Sequence, residues 1–260
     1  MTSTARGRGG QIAGWQSLQP DHRAIARPFD RAPLDERVVE RIRRERYAPR
    51  FTQCDYLHLR DLHRVLEQAL ASVALPPGPA LDVYCGTQPY REMISSRRVW
   101  GLDLDRHFGR TDVAGAVPLP FCDSAFSLVL CTQALHLVDD PSTVVCEMGR
   151  VLTAGGRVIV TVPHIFRREI PAERKLSAEQ LRELFAGWDA AVIGFGGLGS
   201  ALAYFPASLL NGAARRWPAL HAVLPLFALV LNSMCGALDL VLSPLAQRWP
   251  ASWIVVARRA

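Results

Sequence analysis

The sequence predicts an α/β fold built on a parallel sheet with right-handed crossovers. Two observations carry that prediction. From residue 80 onward, apolar runs of strand length alternate with helical patterns. The first run also stops at a glycine turn, Cys85-Gly86-Thr87, and a later run ends in Gly101-Leu102-Asp103-Leu104-Asp105. At 260 residues, 49% of them apolar, the chain suits one such domain with added segments.

Taken in order, residues 1–32 lack periodicity and are rich in Gly, Pro and Arg, so a disordered tail is expected. No apolar run follows the basic start, which argues against a signal peptide. Sparse apolar residues among charges (Leu34, Val38, Val39, Ile42) suggest a surface helix over 34–47. Leu57, Leu59, Leu62, Leu66 and Leu70 mark a better amphipathic helix, ending near Ala74 before Pro76-Pro77-Gly78. These N-terminal helices fill 33–76, and a main domain covers 77–260. Strands are expected there at 80–84, 99–104, 126–131 and 157–162. A helix over 141–152 precedes the last of these and stops at Ala154-Gly155-Gly156. A helix over 177–185 starts at a serine cap with Glu179 close behind. A strand at 190–195 follows, and another at 252–257 closes the fold.

Between those late strands, over about 199–249, the spacing of elements leaves room for a helical insert. From Trp217 to Leu238 no residue is charged, which meets the length of a membrane span. Both ends of the insert must return to one sheet, however, and Pro225 and Asn232 would interrupt a spanning helix. Arg215, Arg216 and Arg248 flank both ends, so charge sets no orientation. The expectation is a buried or interface-forming helix, packed on the domain or on a second copy as a homodimer. A membrane-surface or re-entrant element is the next reading, and a span the last.

The formal charge of +6 comes almost wholly from arginine, Lys175 being the single lysine. Arg41, Arg43, Arg44 and Arg46 alternate with Glu40 and Glu45, which reads as a solvated helix face, so no nucleic-acid partner is expected. The six cysteines form no C-x-x-C pair, and no Cys/His cluster has zinc-ligand spacing. No metal site is expected, and a cytoplasmic location fits.

The first strand and its loop read Leu81-Asp82-Val83-Tyr84-Cys85-Gly86-Thr87-Gln88-Pro89-Tyr90. A strand ending in a glycine turn and followed by a helix offers backbone N–H groups at the sheet's carboxyl edge. Asp103, ending the second strand, is placed to accept both hydroxyl protons of a ribose, so the pair points to a nucleoside-containing cofactor. A nicotinamide fingerprint would need glycine at 84, 86 and 89. Tyr84 and Pro89 break it, which argues against a dehydrogenase.

Three further segments add to this: Pro118-Leu119-Pro120-Phe121-Cys122-Asp123-Ser124-Ala125-Phe126, Leu128-Val129-Leu130-Cys131-Thr132-Gln133, and Arg150-Val151-Leu152-Thr153-Ala154-Gly155-Gly156-Arg157. In order and spacing they resemble the type 11 methyltransferase family, a branch of the class I S-adenosylmethionine-dependent methyltransferases, over about 80–163. That resemblance implies a Rossmann-like seven-stranded methyltransferase sheet with helices on both faces, whose last strand runs antiparallel in a hairpin with the sixth. The N-terminal helices would extend it, and the apolar insert would lie inside the hairpin. It also implies S-adenosyl-L-methionine as cofactor. Asp82, Tyr84, Cys85 and Gly86 would then line its methionine end, Asp103 its ribose and Leu104 its adenine. Asp112 would substitute for the acid that reads the adenine amino group, since Gly115 stands where that acid is common. Gln133 would face the methionine or the acceptor.

Methyl transfer by in-line displacement needs mainly positioning, because the sulfonium is already activated. A base is required only where the acceptor must lose a proton. His136 and His164 follow strands at the edge where the acceptor should lie, and are the candidate catalytic residues. Plainer roles compete: Asp82 capping a turn, Gln133 as a strand-end polar residue, and each histidine satisfying a loop. The sequence departs from the family at Tyr84 and Gln88, both usually glycine, at Ser127 and at His136-Leu137. These departures motivate an alternative, a non-catalytic relative acting as binding partner or regulator. The leading reading is an enzyme for a small-molecule or lipid-linked acceptor, cytoplasmic or peripheral to a membrane. Tyr56, His58 and His63 read as packing and surface residues, with a lid as the alternative.

Overall fold

The computed structural model describes residues 33–94, 97–104, 106–108, 110–164, 175–242 and 250–259, so the expected tail over 1–32 lies outside the described residues. Seven strands form one sheet in the order β3-β2-β1-β4-β5-β7-β6. They are β1 Ala80–Val83, β2 Val99–Asp103, β3 Val113–Ala114, β4 Phe126–Thr132, β5 Leu152–Pro163, β6 Asp189–Phe195 and β7 Ser252–Arg258. The first five pair in parallel, and β7 runs antiparallel between β5 and β6. This is the α/β methyltransferase topology that the resemblance implied.

Alternation along each central strand feeds two cores. Leu81, Val83, Val129 and Cys131 face α3 (Pro141–Val151) and α4 (Ala178–Leu184), where Met148, Leu181 and Phe185 are buried with them. Ala80, Leu128, Leu130 and Ile254 face the other way and cluster with Leu62 and Leu66 of α2 (Tyr56–Ser72). Asp140 caps α3 by accepting from Ser142 and Thr143 N–H, with Pro141 in the first turn. Ser177 caps α4 in a capping box completed by Gln180, not by Glu179.

Three expectations need correction. The helix after β1 is a single 3₁₀ turn, Arg91–Ile94. Only fifteen or so residues join β1 to β2, and Pro89 falls where that helix would begin, so the connection is too short for more than a turn. The Gly155-Gly156 pair lies inside β5 rather than ending α3. Leu152 already has extended backbone, while Gly155 takes φ +71° and Gly156 sits so close to Leu152 that a Cβ would stand 2.7 Å from its Cγ. Those glycines let β5 kink beside β4, at a break in the β4–β5 register.

The third correction concerns the insert. It is a helical hairpin, α5 (Leu198–Arg216) and α6 (Leu224–Val241), joined by a 3₁₀ turn at Pro218–Ala222. Pro225 sits in the first turn of α6, where proline is tolerated, and Asn232 is an interior helical residue, so neither interrupts it. The helix is long and apolar enough to cross a membrane by length and composition, yet only 17% of that window is buried. Burial against the domain therefore accounts for one stripe of α6 and not for the rest.

A candidate cofactor and acceptor cleft

The carboxyl ends of β2, β1, β4 and β5 share one edge of the sheet with the amino end of antiparallel β7. Along it stand Asp103, the Asp82–Tyr84 strand end, Gln133, His164 and the Ser252-Trp253 pair. Five buried side-chain atoms on this edge have no hydrogen-bond partner among the described residues: Asp82 Oδ1, Gln133 Nε2, His164 Nδ1, Ser252 Oγ and Trp253 Nε1. Unpaired buried polar atoms are costly, and five of them along one sheet edge point to a polar ligand there.

At the cofactor end, Gly86 has φ +52°, and a Cβ there would meet nothing within 4 Å, so the turn faces open space. Asp103 organises that turn. Its Oδ2 accepts from Gly86 N–H at 2.8 Å and its Oδ1 from Leu104 N–H at 2.8 Å. A carboxylate has about four acceptor directions, so the same group can also take ribose hydroxyls. Leu104 follows, half-buried.

The two lost glycines keep the glycine backbone. Tyr84 has φ 58° and Gln88 φ 49°, a left-handed conformation that costs a side-chain-bearing residue about 1–2 kcal/mol. Gln88 is buried and folded onto β2, where a Cβ on Gly101 would stand 2.4 Å from its Nε2. The glycine missing at position 88 is thus matched by one at 101. The Tyr84 ring packs on the core, and burial, then the neighbouring Cys131 and Asp103, push its hydroxyl well above the usual tyrosine range.

The structure divides the expected site residues. Asp82, Tyr84, Gly86, Asp103, Leu104, Gln133 and His164 share the edge. The Cys85 side chain instead packs against Gly101 and the Arg110 carbonyl, leaving only its backbone in the turn. Asp112 is drawn back along the sheet: its Oδ2 accepts from Gly101 N–H at 2.8 Å, and its own N–H donates to the Gly101 carbonyl. It holds the edge strand, two residues short of Asp103. Ser127, where the family prefers Asp, is fully buried, donates to the Pro79 carbonyl and accepts from Arg97. Gln133 also takes a left-handed backbone, φ 54°, with its N–H on the Thr161 carbonyl.

The two histidines differ. His164 is half-buried beside Trp253, and burial, then the Lys175 ammonium, lower its pKa, so it is neutral near pH 7. His136 lies in the 3₁₀ turn Leu135–Leu137 and is only 2% exposed. Ser252 and Trp253 belong to the cleft but carry no sequence signal, since only antiparallel pairing brings them beside His164. The strap formed by α1 (Glu36–Tyr47) was equally hidden. Glu40 binds Arg43, Arg44 and Arg110, Arg43 also reaches Glu92, and Leu34 N–H donates to the His107 carbonyl, so α1 crosses the loops after β1 and β2. Hydrogen bonds from Arg43 and Arg44 hold Glu40 down at about 2.

Over residues 81–160 the chain matches the family described as the methyltransferase domain. Ajmaline N-methyltransferase of Rauvolfia serpentina is 27% identical over 166 aligned positions, covering 53% of this chain; the chain spans 56% of that protein's length. Among solved structures, a Galdieria sulphuraria protein provisionally named sarcosine dimethylglycine methyltransferase shares the fold. It is 14% identical with a TM-score of 0.53, covering 86% of this chain and 98% of that one. The [4+2]-cyclase SpnF is 21% identical with a TM-score of 0.49, covering 75% and 80%.

Within the methyltransferase domain, Asp82 makes a pH dependence testable. Burial, and secondarily the Asp103 charge, raise its pKa to about 8. The unfolded chain releases that proton near 4. Between about pH 4 and 8 the folded state therefore binds more protons, so this group's contribution to stability is complete below 4 and is lost as pH rises through 8. Asp82→Asn removes the titration. Thermal melts from about pH 5 to 8.5 are expected to show a shallower fall for the variant than for the wild type; parallel curves would refute the assignment.

Proposed function

We propose that the chain transfers methyl groups from S-adenosylmethionine to a small-molecule or lipid-linked acceptor in the cytoplasm. The observation that carries this reading is the row of unpartnered polar atoms running from Asp82 to Trp253 beside the Gly86 turn. When bound, the cofactor supplies an electrophilic methyl on a sulfonium. Asp103 would hold its ribose, and the Gly86 turn would give backbone room. The Asp82 carboxyl would face the cationic methionine end, where a positive charge draws its proton off.

The chain's own contribution is then to orient the acceptor and to move one proton where the acceptor carries one. His164, neutral and at the acceptor half of the edge, is the group for that task. His136 is too enclosed to reach a ligand unless its turn opens. The relative named for N-methylation of ajmaline supports a nitrogen acceptor on an apolar skeleton as the first class to screen. Among the described residues the cysteines form no disulfide, which suits a reducing compartment.

The test is methyl transfer from labelled S-adenosylmethionine to a panel of apolar amines and phenols. His164→Gln is expected to lower kcat by about a hundredfold for protonated acceptors while leaving cofactor affinity unchanged. Equal turnover in the variant would remove His164 from the proton's path. Cofactor binding without transfer to any acceptor, joined to a stable complex with another protein, would favour a regulatory role instead.

A further inference from the structure

The polarity of α6 is inverted. Its buried stripe, Leu224, Ala228, Asn232 and Cys235, contains small and polar residues. Asn232 Nδ2 donates to the Phe51 and Gln53 carbonyls, and Asp239, two turns further, accepts from Gly199 and Ser200 N–H of α5. The large aliphatic residues face away from the protein: Leu226 is 62% exposed, Met234 68% and Leu240 80%. On α5, Leu202, Phe205 and Leu209 continue the same exposed surface. Among the described residues, eleven of the thirteen exposed large hydrophobics lie between 202 and 241. An ordinary amphipathic helix of a water-facing domain turns its aliphatic stripe inward, and patches of this extent mark an interaction surface.

Charge selects the partner. Between Asp189 and Asp239 the sequence has no acidic residue, and its only charges are Arg215 and Arg216. Arg216 and Trp217 are both exposed at the turn of the hairpin. A cation beside a tryptophan, bordering an uncharged aliphatic face, matches the order of layers at an anionic bilayer, with headgroup phosphate above acyl chain. Asn232 ties α6 to the chain at Phe51 and Gln53, and Asp239 ties it to the start of α5, so the helix is held against the domain and does not leave it to cross.

We infer that the outer face of the α5–α6 hairpin docks on an anionic lipid surface. The hairpin begins after Phe195 and ends before Ser252, which pair across β6 and β7 at the cleft edge. The two ends of the hairpin thus lie beside the acceptor half of the cleft. The inference goes beyond the proposed methyl transfer and does not depend on it.

Flotation of the full chain with phosphatidylcholine vesicles, with and without phosphatidylglycerol, tests it. Binding is expected to the anionic vesicles and to weaken with salt. The double variant Leu226→Glu/Met234→Glu should lower partitioning by about tenfold or more, and Arg216→Ala by about fivefold on anionic vesicles alone. All three positions are exposed, so the variants should keep wild-type circular dichroism melts and cofactor affinity. Failure of a folded wild type to float, or equal flotation by the double variant, overturns the proposal. So does a dimer in solution that the double variant dissociates without any vesicle binding, which would give the face to a second copy. Cofactor titration on the same samples separates this result from the fate of the proposed activity.

Discussion

Asp103→Ala is expected to weaken S-adenosylmethionine binding by about a hundredfold or more in a calorimetric titration. Two losses add. Hydrogen bonds to a charged acceptor contribute about 1.5–3 kcal/mol each, and a ribose would present two hydroxyls. The same substitution frees Gly86 N–H, now held at 2.8 Å, so the turn that faces the cofactor loses its anchor. Asp103→Asn keeps one acceptor oxygen and should fall between, at about tenfold. S-adenosylhomocysteine should show the same ratios, since it carries the same ribose. Unchanged affinity in Asp103→Ala, with the fold intact, would mean that the carboxylate serves only the turn.

Gly199→Ala should destabilise the protein by about 3 kcal/mol and lower its Tm by roughly 10 °C. A Cβ at 199 would stand 2.0 Å from the Cys235 carbonyl oxygen and 2.7 Å from Asp239 Cγ. Neither is a flexible tip, so α5 must move off α6. That movement strains the bonds from Gly199 and Ser200 N–H to Asp239, and the Ser200 hydroxyl's bond to Asp61 Oδ2 at 2.8 Å. Gly236→Ala is the control. Its Cβ would make only ordinary contact, 3.7 Å from Leu57 Cδ2, and alanine favours the helix by about 1 kcal/mol. Similar melts for both variants would show that close approach at 199 does not hold the hairpin.

The central strands were legible because each is largely buried on both faces and reads as a mainly apolar run. Val113–Ala114 was not, since two residues carry no period and become a strand only against Leu102 and Asp103. In the cleft, Gly86 and Asp103 stood out through their spacing, whereas Ser252 and Trp253 did not. Asp112 looked available by proximity in sequence, but the Gly101 backbone takes its carboxylate. Tyr84 and Gln88 looked like lesions in a glycine motif, yet both take the left-handed backbone of the residues they replace.

By itself, the sequence determined the central strands and the helices over 141–151 and 178–184, the glycine turn and its acidic partner, and the presence of an uncharged segment before the last strand. Local periodicity and composition suffice for these, because each depends on residues within a few turns of chain. The tertiary structure alone decided which way the uncharged segment faces. α6 is apolar on nearly every side, so no moment in its sequence orients it. Asn232 and Asp239 do, by binding carbonyls and N–H groups that lie far away along the chain. Buried polar groups must find partners, whereas aliphatic ones need only leave water, and that difference turned the hairpin's greasy face outward.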